Sequence, residues 1–278
     1  MANSAARAFA ALLVALVCAA LARPAAAAWP GPAHVVIVID ENQAFTNVIG
    51  NAAAPWLSAL AQTGAIFADA HGVMHPSQPN YLALFAGVTD VNGNGCEARG
   101  FAHDAPNIAS ELLAAGFTFA AYSESLPHAG FMGCSAGDLY ARKHAPWTQF
   151  VNVPQRLHRP FAAFPAYAAL PAVTFVVPNL ADDMHDRPVR AGDAWARAHV
   201  GPLVRWAQTH DTLLVFTWDE GFDATNTVPT FFAGPMVKPG RYPERIDHYR
   251  VLRTIEDMYG LAPTGRAAAT TAITDIWR

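Results

Sequence analysis

The amino-acid sequence predicts an α/β fold, a three-layer α/β/α sandwich with a mostly parallel central sheet. Three segments, 34–39, 172–177 and 212–218, are continuous apolar runs rich in β-branched residues. Such runs are typical of strands that are buried on both faces, as in a parallel sheet. Segments with helical spacing alternate with them along the chain, an order that favours helices packed on both faces of the sheet.

The predicted elements follow one another in a regular order. In the first half of the chain, the predicted strands are 34–39, 65–67 and 117–122, and the predicted helices are 55–63, 79–86 and 107–115. In the second half, the predicted strands are 172–177, 212–218 and 228–233, and the predicted helices are 194–208 and 249–259. The segment 90–100 and much of 123–160 are predicted loops, and loops of this length are usually functional.

The first 28 residues have the order of a secretory signal peptide. Arg7 precedes an apolar run over 8–22, and small residues over 25–28 provide a cleavage site. The run is shorter than the roughly 20 residues that a spanning helix needs, so an uncleaved membrane anchor is the weaker alternative. We expect residues 29–278 to form a single periplasmic or secreted domain without a stable membrane anchor after cleavage.

The charge balance disfavours a nucleic-acid partner. The chain has 18 basic and 22 acidic residues, and its basic residues form neither a continuous run nor a stripe. Nucleic acid is therefore not an expected partner.

Two cysteines, Cys96 and Cys134, remain after removal of the predicted signal peptide. A pair of cysteines in an oxidising compartment predicts a disulfide between them. The alternative is two free thiols, and the spacing does not suit a zinc knuckle.

Oxygen-bearing side chains directly follow two of the apolar strands. The first strand runs into Asp40, Glu41 and Asn42, and the run TLLVFTW leads into Asp219 and Glu220. Ligands of open α/β sheets bind at the carboxyl ends of the strands, and carboxylate and amide oxygens suit hard divalent cations. The sequence thus predicts a metal site made by Glu41, Asn42, Asp219 and Glu220. The alternative is that acidic residues simply end strands and cap helices.

Ser77 lies in the segment HPSQPNY, just ahead of a predicted helix. The N-terminal end of a helix offers free N–H groups and a positive dipole end, which suit a phosphate group. A serine there can attack phosphorus if a metal lowers the pKa of its hydroxyl. Asn80 is a candidate hydrogen-bond donor to a phosphoryl oxygen. The alternative is an ordinary serine cap in a proline-rich turn.

A third set of polar residues, NLADDMHD at 179–186, follows the strand predicted at 172–177. His185 is a candidate proton donor to the leaving group or phosphate contact, and Asp186 is a candidate phosphate contact beside it. Asp182 and Asp183 are weaker candidates, with solvated loop charges as the alternative. Further candidate contacts of the phosphate or leaving group are Lys143, His144 and His248.

Together these motifs resemble the bacterial phosphoesterase family, from about residue 34 to residue 261. The matching segments are ENQAFTNVIGN, HPSQPNYLALFAG, PNLADDMHD, TWDEGFD and HYRVLRTIEDMYGL. The family contains phosphatidylcholine-hydrolysing phospholipases C and a group of acid phosphatases. It is similar to a branch of the alkaline phosphatase superfamily, so the resemblance implies an alkaline phosphatase-like fold.

The resemblance also implies residue roles and a two-step reaction through a phosphoserine. Ser77 is the implied nucleophile and His185 the implied acid, with Asn80, Asp186 and His248 at the phosphate. The implied ligands of a Ca²⁺, Mg²⁺, Mn²⁺ or Zn²⁺ ion are Glu41, Asn42, Ser77, Asp219 and Glu220. Arg250 departs from the small polar residue that the family usually has there. A second ion is left open, with Asp182, His185 and His248 as its candidate ligands.

These expectations combine into an exported, metal-dependent phosphoester hydrolase of the acid phosphatase type. Its expected substrate is a small phosphate ester or a phospholipid headgroup. The chain is short for the family's phospholipases, which favours a phosphomonoesterase over a phospholipase C-type phosphodiesterase. A catalytically inactive member that binds an anion or a metal is a further alternative.

Overall fold

The computed structural model describes residues 29–91 and 93–278. The predicted signal peptide at 1–28 lies outside the described residues. The strands are β1 His34–Asp40, β2 Ala65–His71, β3 Phe119–Ser123, β4 Ser135–Ala136, β5 Tyr140–Ala141, β6 His158–Pro160, β7 Val173–Val177, β8 Thr212–Trp218, β9 Thr230–Ala233 and β10 Gly240–Asp247. The helices are α1 Phe45–Val48, α2 Pro55–Gln62, α3 Ser77–Ala86, α4 Ile108–Ala114, α5 Val189–His199, α6 Gly201–Ala207 and α7 His248–Met258.

Eight strands form one sheet in the order β10-β2-β9-β8-β1-β7-β3-β6. Neighbouring strands are parallel except where β9 pairs antiparallel with β2 and β8. The helices pack in two groups, α3 with α4 and α7, and α2 with α5 and α6. This architecture confirms the predicted α/β sandwich with a mostly parallel sheet.

The central strand β1 lies between β7 and β8 and is buried along nearly its whole length. In its pairing with β8, Val38 lies opposite Phe216 and Asp40 lies opposite Trp218. Burial on both faces explains why the two strands are apolar without alternation. Because the strands are parallel and in this register, the residues that follow them leave the sheet side by side.

The helix predicted at 194–208 is instead two helices, α5 and α6. The break comes at Val200 and Gly201, and Pro202 occupies the first turn of α6. Proline has no N–H to donate and clashes with the preceding turn, so it starts a helix far better than it continues one. The prediction of a single helix missed this signal.

The edge strand β10 was not predicted from the sequence. Its segment GRYPERID is charged, contains Pro243 and is mostly exposed, so it lacks the apolar pattern of a buried strand. Charged residues and proline are typical of edge strands, where they discourage pairing with another chain. Its partner β2 is longer than predicted and extends to His71, since the added pairs continue to Asp247.

The predicted disulfide between Cys96 and Cys134 is present. It joins the loop after α3 to the segment before the β4–β5 hairpin. The segment 123–160, predicted as a loop, also contains short strands and single 3-10 turns.

In the part of the chain that the structure describes, no helix is both long enough and apolar enough to cross a bilayer.

Candidate active site

The residues that follow β1 and β8 lie against each other at the carboxyl edge of the sheet. The Asn42 N–H donates a 2.9 Å hydrogen bond to Asp219 Oδ1. The Asn42 side-chain amide donates to Glu41 Oε2 at 2.8 Å. The side chains of Glu41, Asp219 and Glu220 are nearly inaccessible to solvent. The structure therefore brings the two predicted pairs together, although 177 positions separate Asn42 from Asp219 in the chain.

Ser77 is the first residue of α3, and its side chain is buried beside this group. Its hydroxyl donates a 2.9 Å hydrogen bond to Glu220 Oε1. The other oxygen of Glu220 is bound by Nδ1 of His75, a half-exposed residue. The hydroxyl of the predicted nucleophile thus has a carboxylate as its hydrogen-bond acceptor at the N-terminal end of a helix.

Asn80 supports the loop that leads into Ser77. Its Oδ1 accepts hydrogen bonds from the Val73 and Met74 N–H groups at 2.8 and 3.2 Å. Its Nδ2 donates to the carbonyl groups of Met74 and Pro76 at 2.8 and 3.3 Å. In this arrangement the amide is fully engaged by backbone, and its role as a phosphate contact stays a prediction.

The segment after β7 brings His185 to the same edge. The Glu41 N–H donates to the Asp183 carbonyl at 2.8 Å, and Asp183 Oδ1 accepts from the His185 N–H at 2.9 Å. The His185 ring is held by its Nδ1, which lies 2.6 Å from Asp186 Oδ1. Its Nε2 lies 3.8 Å from Glu41 Oε2. Asp186 is therefore in a position to orient His185, while the other ring nitrogen faces the carboxylate group.

His144 has a more central place than the sequence assigned to it. It ends a 3-10 turn, Arg142–His144, and is 3% exposed. Its Nε2 lies 2.5 Å from Glu41 Oε1, and its ring stacks on Tyr81 with centroids 4.9 Å apart. The only sequence signal was a histidine in a basic tripeptide of a long loop, because no strand or helix pattern placed it near Glu41.

His248 lies behind the site rather than at its surface. It is the first residue of α7, is 1% exposed, and its Nε2 donates to the Asp219 carbonyl at 2.7 Å. Burial lowers the pKa of its imidazole. In this position it supports the backbone of Asp219, and direct contact with a phosphate stays a prediction.

The carboxyl groups of the site perturb one another. Burial raises the pKa of Asp219 well above its usual value, and the charges of Glu41 and Glu220 add to that effect. The pKa of Asp183 is also raised by burial and by Glu41. Burial acts in the same direction on Glu41, but the nearby His144 and Lys143 bring its pKa below the usual value. Such a cluster of buried carboxyl groups is typical of a functional site.

The buried carboxyl oxygens at this edge of the sheet are of the type that binds hard divalent cations. Asp183 Oδ2 and Asp219 Oδ2 are buried and have no hydrogen-bond partner within the described residues. Buried anionic oxygens are costly unless they are paired or bind a metal. As the side chains stand, no three His, Cys, Asp or Glu residues among 29–91 and 93–278 are arranged as a metal-binding group. Binding an ion here would therefore need side-chain adjustment.

A family model matches most of the chain, although its matched range begins after Glu41 and Asn42. The model of the Phosphoesterase family matches residues 51–262, which include the helix that begins at Ser77 and the residues after β7 and β8. The chain belongs to the Phosphoesterase family. It is therefore a hydrolase of phosphate esters, and the family predicted from the motifs is confirmed.

Curated relatives of this Phosphoesterase member include named phosphatases. The chain is similar to the phosphatidylinositol-3-phosphatase of Mycobacterium tuberculosis (strain ATCC 25618 / H37Rv), with 50% identity over 91% of this chain and 85% of that protein. It is also similar to the phosphate-repressible acid phosphatase of Penicillium chrysogenum, with 29% identity over 76% of this chain. The matched region covers 55% of that fungal protein.

Solved structures confirm the alkaline phosphatase-like fold. A phosphonate monoester hydrolase from Silicibacter pomeroyi superposes with a TM-score of 0.60 over 88% of this chain and 78% of its own, at 15% identity. An alkaline phosphatase superfamily protein from Vibrio parahaemolyticus gives a TM-score of 0.60 over 87% of this chain and 71% of its own, at 13% identity. At these identities the likeness establishes the fold alone.

Proposed function

We propose that this chain is an exported, metal-dependent phosphomonoesterase of the acid phosphatase type, with Ser77 as its nucleophile. The observation that carries the proposal is the Ser77 hydroxyl, buried at the start of α3 and hydrogen-bonded to Glu220 at 2.9 Å. Phosphatase relatives at 50% and 29% identity support the choice of a monoester.

The proposed first step is attack of Ser77 Oγ on phosphorus. Glu220 accepts the hydroxyl proton through the contact already present. The positive end of α3 stabilises the charge on the phosphoryl oxygens, because the first N–H groups of a helix have no partners within the helix. The product is a phosphoserine, which water hydrolyses in the second step.

His185 is the proposed acid for the departing alcohol and the base for the attacking water. Asp186 fixes the ring through Nδ1, which leaves Nε2 free to transfer the proton. His144, in contact with Glu41 and stacked on Tyr81, is proposed to hold the Glu41 carboxylate in place.

The residues proposed to hold a divalent cation are Glu41, Asn42, Asp219 and Glu220, beside Ser77. Asn42 donates its amide hydrogen to Glu41, so its carbonyl oxygen stays available as a ligand. Such a cation would lower the pKa of the Ser77 hydroxyl and balance the negative charge of the phosphoryl group. Ca²⁺, Mg²⁺, Mn²⁺ and Zn²⁺ are the candidates, and a second ion near Asp182, His185 and His248 is a further proposal.

A phosphorylated lipid headgroup is a second candidate substrate, favoured by the name of the 50% identical relative. Cleavage of the diester of a phospholipid, as by a phospholipase C, is the alternative reaction for the same site. Substrate preference must therefore be measured on a small phosphate monoester, on a lipid with a phosphorylated headgroup and on a phospholipid diester.

The nucleophile is tested with Ser77→Ala, and Ser135→Ala in the exposed hairpin is the matched control. We expect Ser77→Ala to lose about a thousandfold or more in kcat on p-nitrophenyl phosphate, since the covalent step is removed. The control should match the wild type in nitrophenol release. Equal turnover by wild type and Ser77→Ala would disprove the mechanism. Release of phosphocholine from lecithin without any monoester hydrolysis would instead favour the phospholipase C alternative.

A further inference from the structure

The proposed reaction assigns no role to His75, a half-exposed residue at the edge of the site. The His75 side chain is 53% accessible to solvent, whereas the Glu220 side chain that its Nδ1 contacts is 8% accessible. A side chain that stays half in water contributes little to the core, because the hydrophobic gain follows the area that is buried. The buried carboxylate is therefore the partner that this contact affects most.

The Glu220 carboxylate has a hydrogen-bond partner on each of its oxygens. Oε1 accepts from the Ser77 hydroxyl at 2.9 Å, and Oε2 accepts from the Nδ1–H of His75. The terminal torsion of a glutamate side chain is broad, so a contact at one oxygen leaves the carboxylate free to turn about its last bond. Contacts at both oxygens fix the plane of the carboxylate and keep Oε1 toward Ser77.

The backbone on both sides of His75 is fixed by Asn80. Its Oδ1 accepts from the Met74 N–H at 3.2 Å, and its Nδ2 donates to the carbonyl groups of Met74 and Pro76 at 2.8 and 3.3 Å. Asn80 lies in α3, the helix that begins at Ser77. The helix that carries the proposed nucleophile therefore also sets the position of His75.

The segment that follows Glu220 is joined to the same loop through Asn226. The Asn226 Nδ2 donates to the Met74 carbonyl at 3.2 Å, and its Oδ1 accepts from the Gly221 N–H at 2.8 Å. His75 and Glu220 are thus carried on two segments that are bonded to each other apart from their own contact. The contact between the two side chains is held in place by the backbone on both sides.

We propose that His75 is a positioning residue for the nucleophile, because its Nδ1–H holds Glu220 in the orientation in which Oε1 accepts from the Ser77 hydroxyl. This inference rests on the proposed function, since it assumes that Ser77 attacks phosphorus and that Glu220 takes its proton. His75 acts through Glu220 and makes no contact with the substrate. Its loss should therefore slow the attack and leave substrate binding almost as it was.

The test compares His75→Ala, His75→Leu and His75→Asn with wild type on p-nitrophenyl phosphate. Asparagine offers an N–H donor close to the place of the histidine Nδ1, whereas leucine fills the space without a donor. We expect kcat to fall roughly tenfold in His75→Ala and His75→Leu, and His75→Asn to regain most of the loss. KM should stay within about twofold of the wild-type value in all three variants.

Rapid-quench trapping of the phosphoserine measures the first step directly, so a slow second step does not hide the effect. Its rate should follow the same order, with His75→Asn above His75→Ala and His75→Leu. His128→Ala is the matched control, because His128 is exposed and no part of the proposed site, and it should keep the wild-type rate. The unfolding temperatures of all variants should match that of the wild type, since His75 is half-exposed.

An unchanged rate of phosphoserine formation in His75→Ala would overturn the proposal. A change in KM alone would make His75 a substrate contact, and an equal loss in His75→Asn and His75→Leu would show that the donor has no part in it; either result contradicts the proposal. So would a crystal structure of His75→Ala in which Glu220 Oε1 still lies at 2.9 Å from Ser77 Oγ as in the wild type. Wild-type turnover by Ser77→Ala would instead defeat the proposed function itself. An inactive Ser77→Ala beside fully active His75 variants would defeat this inference alone.

Discussion

The Glu220 carboxylate contacts two other residues of the site, one through each of its oxygens. One of its oxygens accepts the Ser77 hydroxyl and the other is bound by His75. We propose this carboxylate both as the acceptor of the Ser77 proton and as a metal ligand, so the same side chain links the two proposed roles. His144 has a comparable place on Glu41, with its ring packed on Tyr81.

His158, a residue outside the proposed site, makes stability depend on pH. Burial, with a contribution from the charge of Arg142, lowers the pKa of His158 to about 3, and its Nε2 is hydrogen-bonded to Ser123. In the unfolded chain a histidine titrates near pH 6.5. The unfolded state therefore binds the proton first, and stability is present above about pH 6.5 and is lost as the pH falls toward 3.

We expect this histidine to contribute a loss of about 2 kcal/mol in unfolding free energy between pH 7 and pH 5. Denaturant unfolding of wild type and His158→Gln at both pH values measures it, and the variant should lose less stability on acidification. His210→Gln, at an exposed position, is the control. An equal pH dependence in wild type and His158→Gln would contradict the assignment.

At the scale of elements, the start of α3 depends on the loop that the disulfide closes. Asn94 Oδ1 accepts from the Gln78 N–H at 3.1 Å, and the Gly95 carbonyl accepts from the Gln78 side chain at 2.9 Å. Cys96 follows directly and is bonded to Cys134, 38 positions later. The disulfide therefore anchors a segment that contacts the residue next to Ser77.

We expect the double variant Cys96→Ser/Cys134→Ser to lose roughly 2–4 kcal/mol of unfolding free energy, because the unfolded chain is no longer constrained by the closed loop. Its kcat should also fall, since the contacts of Asn94 and Gly95 with α3 are weakened. Thermal unfolding and monoesterase assays measure the two effects. Dithiothreitol should lower the stability of the wild type and leave the double variant as it was. Equal stability of both proteins would disprove this role of the disulfide.

At the same scale, local pattern predicted most elements but not their ends or breaks. The apolar runs of β1, β7 and β8 are plain in the sequence, since burial on both faces permits only apolar residues. The edge strand β10 escaped prediction, because an edge strand has one exposed face and no such requirement. The break between α5 and α6 was missed, although glycine and proline at positions 201 and 202 indicate the end of one helix and the start of another.

At the scale of the whole molecule, we expect a bound cation to contribute to the stability of the folded state as well as to activity. An ion that binds the folded state alone raises its stability in proportion to the logarithm of the ion concentration over its dissociation constant. At this edge of the sheet it would relieve the repulsion that the Glu41 carboxylate exerts on the buried carboxyl groups of Asp183 and Asp219. Chelation should therefore lower the unfolding temperature.

The measurement compares the unfolding temperature of wild type and Ser77→Ala before chelation, after EDTA, and after addition of Ca²⁺, Mg²⁺, Mn²⁺ or Zn²⁺. Both proteins should lose stability with EDTA and regain it with the native ion, and only the wild type should regain phosphatase activity. Metal analysis of the purified protein identifies the ion. An active protein that contains no metal, and whose unfolding temperature and activity do not change after EDTA, would disprove the metal site.

The sequence by itself determined the family, the buried strands and the residue types at the ends of two of them. It also placed Ser77 just ahead of a helix, which in the structure begins at Ser77 itself, because helix periodicity and helix-start signals are local properties of the chain. Only the tertiary structure decided that β1 lies beside β8, and that Glu41 and Asp219 therefore share one edge. It likewise brought His144 to Glu41 and tied the loop of Met74 to that of Asn226. Such contacts depend on the order and register of strands, which long-range packing sets and which no local pattern encodes.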